Sequence, residues 1–328
     1  MYRMRRLRRT EGIRDLVREN RLSVKELVYP LFVVEGVNLK IRVPSMPGVF
    51  QYSLDRLPEL LDQLLEAGVN AVLVFGVPLR KDEAGSEAYN RDGIAQRAVR
   101  KIRAYAPEMV IISDVCLCEY TSHGHCGLIR GGEILNDESL PLLARASVTL
   151  AEAGADMIAP SCMMDGDVES IRRDLDEAGY VNTAIMAYSA KMASGYYSPF
   201  RDAAHSAPSF GDRRSYQMDY ANGREAVRES LIALDEGADI VKLFPADDLG
   251  LHYIQNLRGP LPHIPLMATG GVNPATIPQL LSAGVSAVGT GVTVLKKDLI
   301  AAGDYEAVRD LARMHRDAIR IWEKEKRA

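Results

Sequence analysis

Eight short apolar runs recur along the 328 residues, and a longer amphipathic stretch follows each of them. The runs lie at 28–35, 71–77, 110–117, 157–161, 184–190, 240–246, 265–271 and 287–293. Their near-continuous apolar character is that of strands buried on both faces, and such strands belong to parallel sheets covered by helices. The amphipathic stretches predict helices near 54–67, 92–105, 139–153, 167–178, 223–236, 247–257, 274–283 and 304–325. In the last of these Val308, Leu311, His315, Ala318, Ile319 and Trp322 share one face at helical spacing. Eight strand–helix units without a Gly-, Pro- or Ser-rich linker predict one α/β domain over 28–328, a closed (β/α)8 TIM barrel rather than an open doubly wound sheet. Before it, residues 1–27 form an extended N-terminal arm opening on the basic "MYRMRRLRR".

Two connections exceed ordinary length, 118–138 after the third strand and 192–222 after the fifth. Barrels build active sites from loops at the C-terminal ends of their strands. A formal net charge of -4 gives no electrostatic reason to expect nucleic acid as a partner. No apolar run reaches membrane-spanning length, so no membrane partner is expected either. Four cysteines in a chain of this length do not make a disulfide scaffold, which predicts a reducing, cytoplasmic location.

The stretch "GADIVKLFPADDLG" carries an anomaly, because Lys242 stands inside an apolar strand. Burying an ammonium is costly unless it is paired or loses its proton. Lys242 is therefore either a functional amine or a side chain snorkelling from a strand end. A second cluster opens the first long loop, where "SDVCLCEYTSHGHCG" sets Cys116, Cys118 and Cys126 at C-x-C-x7-C spacing. Cys162 follows the next strand. Three clustered thiols suit a soft metal, zinc above all, and leave a fourth position open as catalytic zinc sites do. His123 and His125 are competing ligands, and the alternative is a set of ordinary buried cysteines.

This cysteine loop closely resembles that of the porphobilinogen synthase (5-aminolevulinate dehydratase) family. So do "RRLRRTEGIRDLVREN", "PLFVVEG", "GSEAYNRDGI", "IAPSCMMDG", "IMAYSAKMASGYYSPFRDAA" and "GDRRSYQMDYANGREAVRES", in order, over about residues 3–240. The resemblance implies a lyase of porphyrin and heme biosynthesis that joins two 5-aminolevulinate molecules through Schiff-base lysines. By the same resemblance Lys191 is the first of those lysines, and Cys116, Cys118 and Cys126 hold zinc. Asp114 and Ser161 line the site, although polar residues at strand ends are also common as caps. Arg201, Arg213 and Gln217 grip a substrate carboxylate. Glu229 is a magnesium ligand outside the site, and the N-terminal arm wraps a neighbouring subunit of a homo-oligomer.

Past about residue 240 the pattern changes. K-L-F-P, R-G-P-x-P and T-G-G-V over about 238–308 resemble the 2-keto-3-deoxy-6-phosphogluconate aldolase family. That resemblance implies a Schiff base between Lys242 and pyruvate. It also implies phosphate binding at Thr269, Gly270, Gly271, Gly289 and Gly291, whose plainer reading is tight barrel turns. Val292 replaces the serine usual in that family, and its catalytic glutamate would fall in the part that resembles the dehydratase. The chain thus reads as a chimera of a dehydratase-like part, 28–240, and an aldolase-like part, 241–328. Aligned on Pro245, the dehydratase's second lysine falls at Phe244, so Lys242 keeps its side of the strand but starts about 6–7 Å deeper. Impaired dehydratase activity follows from such an offset, with aldolase-type activity or an inactive engineered barrel as the alternatives.

Overall fold

The computed structural model describes Thr10, residues 27–244, 246–258, 265–289 and scattered positions between 296 and 318. The strands are β1 (Val28–Val34), β2 (Lys40–Arg42), β3 (Phe50–Ser53), β4 (Ala71–Val77), β5 (Val110–Val115), β6 (Leu128–Arg130), β7 (Glu133–Leu135), β8 (Met157–Pro160), β9 (Ala184–Lys191), β10 (Ile240–Phe244), β11 (Leu266–Thr269) and β12 (Ala287–Gly289). The helices are α1 (Leu57–Glu66), α2 (Ile94–Tyr105), α3 (Asn136–Ala153), α4 (Asp167–Glu177), α5 (Ser198–Ala203), α6 (Gly223–Asp235), α7 (Ala246–Arg258, interrupted at Gly250) and α8 (Ile277–Ser282). All eight anticipated strands are present as β1, β4, β5, β8, β9, β10, β11 and β12. They pair in parallel in sequence order, which makes a curled sheet with the strand order of a (β/α)8 barrel. Among the described residues no pair closes β12 onto β1. Most of the arm, Gly291, Val292 and much of the last helix lie outside the described residues.

Side-chain alternation sorts the strands into two faces. Phe32, Leu73, Phe75, Ile112, Ala159, Met186, Tyr188 and Met267 pack together on the inner face. Leu31, Val33, Val72, Val74, Ile111, Ile158 and Ile185 point outward beneath the helices. The α1 sequence shows why a helix covers them: Leu57, Leu60, Leu61 and Leu64 recur at helical spacing and are all buried. A proline in the first turn of α1 removes no helical hydrogen bond. Each such leucine contributes about 2 kcal/mol by leaving water.

Apolar periodicity does not register elements of only three to six residues, and three features follow from that. β2 and β3 form a ribbon, with β3 parallel to the C-terminal half of β1. The loop 118–138 carries the hairpin β6–β7. Within 192–222 lies the short helix α5. This second loop is pinned from several sides: Ser45 Oγ donates to Asp202 Oδ2, Gln51 Nε2 to the Ala203 carbonyl, Lys81 Nζ to the His205 carbonyl, and the loop's own Arg213 Nη2 to the Gly124 carbonyl. Gly124 lies so close beneath it, at φ +71°, that a Cβ there would sit 2.2 Å from the Ala207 oxygen.

Candidate active site

Two buried lysines meet at the C-terminal ends of β9 and β10. Lys191 Nζ donates to the Ser161 carbonyl at 2.6 Å. Lys242 Nζ lies 3.4 Å from the Tyr188 ring centroid, and Lys191 Nζ lies 5.3 Å from the same centroid. Tyr197 faces both amines, at 4.8 Å from Lys191 Nζ and 5.9 Å from Lys242 Nζ. Lys191 and Tyr188 are an odd number of residues apart, and strict alternation would send them to opposite faces. A register irregularity reunites them: Val241 pairs with Ala187 while Leu243 pairs with Ala190, so β9 holds one extra residue there. One step later Phe244 pairs with Lys191. Lys242 therefore lies two residues deeper than the level of Lys191, as the alignment on Pro245 anticipates. Burial drives the Lys242 pKa well below the usual lysine value, and the neighbouring Lys191 charge adds to this while Asp114 opposes it.

Asp114 closes the same space from β5. Its Oδ2 accepts from Ser161 Oγ at 3.1 Å, and its Oδ1 is buried without a partner. Burial raises its carboxyl well above the ordinary carboxylate range, with Glu119 pushing the same way. Ser161 is thus more than a cap, since its hydroxyl holds Asp114 and its carbonyl holds Lys191.

The three loop cysteines converge beside the lysines. Cys116 Sγ is 3.2 Å from Cys118 Sγ, and the thiols of Cys116, Cys118 and Cys126 all lie within 4.8 Å of one another, fully buried. Hydrogen bonds from Cys116 and Cys118 hold Cys126 well below the usual thiol range, and Arg213 and Lys191 reinforce this. A soft divalent cation such as zinc fits this donor set. His123 and His125 are committed elsewhere. His125 contacts Tyr216 Oη and the Phe210 carbonyl, and His123 contacts the Glu83 carbonyl. Cys162 also stays out of the cluster, donating to Asp167 Oδ2 at 3.0 Å.

Of the anticipated carboxylate grip, Arg213 is buried and donates to the carbonyls of Gly124 and Ser206. Burial opposes its charge, but the cysteine cluster outweighs that and keeps it protonated. Its Nε, the Nε of Arg201 and both amide atoms of Gln217 are buried without partners, an arrangement suited to an incoming carboxylate.

Glu229 lies apart, on α6, lining an outer cleft of about 940 Å3 with Asp165, Asp167 and Glu236. Among the described residues only the cysteines gather closely enough to ligate one ion. Thr269 ends β11 and donates to the Leu243 carbonyl, and the left-handed Gly270 and Gly271 turn the chain toward α8. Gly289 packs on Thr269 so tightly that a Cβ would lie 2.6 Å from its methyl.

Sequence reasoning missed Glu119, Tyr188 and Tyr197. Glu119 is buried behind Cys118, and burial raises its pKa to about 8. A charged residue inside a cysteine loop was the available signal for it. Tyr188 had none, because the extra residue of β9 is invisible in sequence.

A curled parallel sheet that gathers two buried amines, a buried acid and a thiol cluster at its strand ends defines an enzyme of the α/β barrel type. A family model described as delta-aminolevulinic acid dehydratase matches residues 1–268. The delta-aminolevulinic acid dehydratase of Halalkalibacterium halodurans is 51% identical over 256 residues, 78% of this chain and 77% of the relative. The crystal structure of the delta-aminolevulinic acid dehydratase (porphobilinogen synthase) of Toxoplasma gondii ME49, in complex with its reaction product porphobilinogen, aligns with a TM-score of 0.78 and 34% identity over 92% of this chain and 91% of that one. A solved structure described as "Native KDPGal structure" aligns with a TM-score of 0.50 at 16% identity over 93% of this chain and 99% of that one, a likeness of fold alone. The chain belongs to the delta-aminolevulinic acid dehydratase family and is a dehydratase-type lyase. The match runs past residue 240 through β10, α7 and most of β11, beyond the junction anticipated from sequence.

Proposed function

We propose that this enzyme condenses two molecules of 5-aminolevulinate to porphobilinogen, with Lys191 and Lys242 each holding one substrate as a Schiff base. The observation that carries this reading is the pair of buried amines facing the same two tyrosine rings. A neutral amine is the nucleophile, and the depression of the Lys242 pKa by burial favours that form. Each Lys Nζ attacks a substrate ketone carbon, a proton passes to the oxygen, and water leaves as the imine forms. Asp114, whose carboxyl burial pushes well above the ordinary range, is placed to pass a proton to the departing hydroxyl. Arg201, Arg213 and Gln217 orient a substrate carboxylate. Cys116, Cys118 and Cys126 would hold zinc, which polarises a carbonyl when bound.

Glu229 as a magnesium ligand, the N-terminal arm as an oligomer contact and a cytoplasmic location stay with this reading. So does descent of the C-terminal part from an aldolase, supported by K-L-F-P and T-G-G-V. The two-residue depth of Lys242 makes turnover slow, since aligned reaction tolerates little displacement. The test is porphobilinogen formation from 5-aminolevulinate by the zinc-loaded enzyme. Slow formation abolished by K191A supports the proposal, and no pyrrole from well-folded, zinc-loaded enzyme contradicts it. The second reading, aldolase chemistry at Lys242, rests on the same depressed amine and is tested by borohydride trapping of pyruvate there.

A further inference from the structure

The oxygen that receives Lys191 Nζ is the carbonyl of the Ser161–Cys162 peptide unit. A peptide unit is planar, so its carbonyl direction is set by whatever holds its two ends. The first end is fixed by the Ser161 N–H donating to the Val115 carbonyl at 3.0 Å and by Ser161 Oγ donating to Asp114 at 3.1 Å. The second end is fixed by Cys162, whose side chain is fully buried and whose thiol donates to Asp167 Oδ2 at 3.0 Å. Asp167 opens α4 and is tied back into the turn through its own N–H, which donates to the Met164 carbonyl. Between the two residues Met163 stands at φ +62°, a conformation that persists in a non-glycine residue only where its surroundings impose it.

We infer that the Cys162–Asp167 contact positions Lys191, by holding the peptide plane whose oxygen receives its amine. The proposal rests on the Schiff-base reading of Lys191, and Cys162 and Asp167 act through the Ser161 carbonyl rather than at the reacting atoms. Asp167 also lines the outer cleft, so the contact joins that cleft to the active site through a single turn of chain.

The contact has a distinguishing signature. C162A and D167A each slow borohydride-trapped adduct formation of 5-aminolevulinate on Lys191 about tenfold. The double variant is no slower than either, because both remove one interaction. C162S, which keeps a donor, and D167N, which keeps an acceptor, hold the rate within about twofold of the parent. D167E, which keeps the charge but moves the carboxylate, is slowed as D167A is, and it replaces D167A in the cycle if that variant does not fold. Additive losses, or a Lys191 adduct that forms at the parental rate in C162A or D167E, overturn the inference while leaving the Schiff-base reading standing. Absence of any Lys191 adduct in the unsubstituted enzyme overturns both.

Discussion

Lys242 is held between opposing demands. Burial and Lys191 favour its neutral amine, while Asp114 and the face of the Tyr188 ring favour the ammonium. Replacing Tyr188 by leucine removes the ring, so the pH at which Lys242 becomes reactive shifts downward. Trapping rate against pH measures this, and an unchanged profile contradicts the balance described. K191A and K242A are predicted to differ in kind from the surface variant K101A, each lowering turnover at least about 100-fold with little loss of stability. At this scale sequence was informative where residue type and surroundings conflict, as for a lysine in an apolar strand. It was silent on Tyr188, whose role depends on one extra residue in β9.

The loops after β5 and β9 act as a pair. The cysteine loop supports the 192–222 segment through Gly124, Arg213 and the two histidines, and Arg213 in turn stabilises the thiolate of the cluster. G124A therefore strikes the backbone contact with Ala207 and is expected to cost about 2 kcal/mol of stability. It should also weaken substrate binding, read as a raised KM, more than it changes zinc content. Replacing Cys116, Cys118 or Cys126 by serine removes a soft donor, and each variant is expected to retain less than half the zinc that the unsubstituted chain retains. Elemental analysis after desalting reads this, and full retention would show that the thiols are not the ligands. The length and cysteine spacing of these loops marked them as the site in sequence. Their mutual contacts did not show there, because they join residues more than eighty positions apart.

Across the whole molecule, stability carries the imprint of buried acids. Burial disfavours the charge of Asp167 and pushes its pKa up to about 7 from the ordinary 3.8. The folded state therefore holds this proton more tightly than the unfolded chain does. The associated stability is complete at pH below about 4 and is lost as pH rises toward about 7. Part of Asp167 remains open to solvent, which moderates the effect. Melting temperature is expected to fall between about pH 4 and 7, and D167N to flatten that slope. Eight recurring apolar runs made the parallel barrel order readable, since burial on both strand faces leaves an unmistakable pattern. The ribbon β2–β3 escaped because β2 is exposed along its whole length. The reading of a change of parentage near residue 240 met a family match that continues to residue 268. What that segment does to function reduces to whether Lys242 reaches a substrate from its deeper station opposite Lys191. Borohydride reduction of the zinc-loaded enzyme with 5-aminolevulinate, followed by intact mass and peptide mapping, tests this most directly. An adduct on Lys191 and a second, slower one on Lys242 are expected, and well-folded protein that carries an adduct on Lys191 alone, or on neither lysine, overturns substrate binding at Lys242.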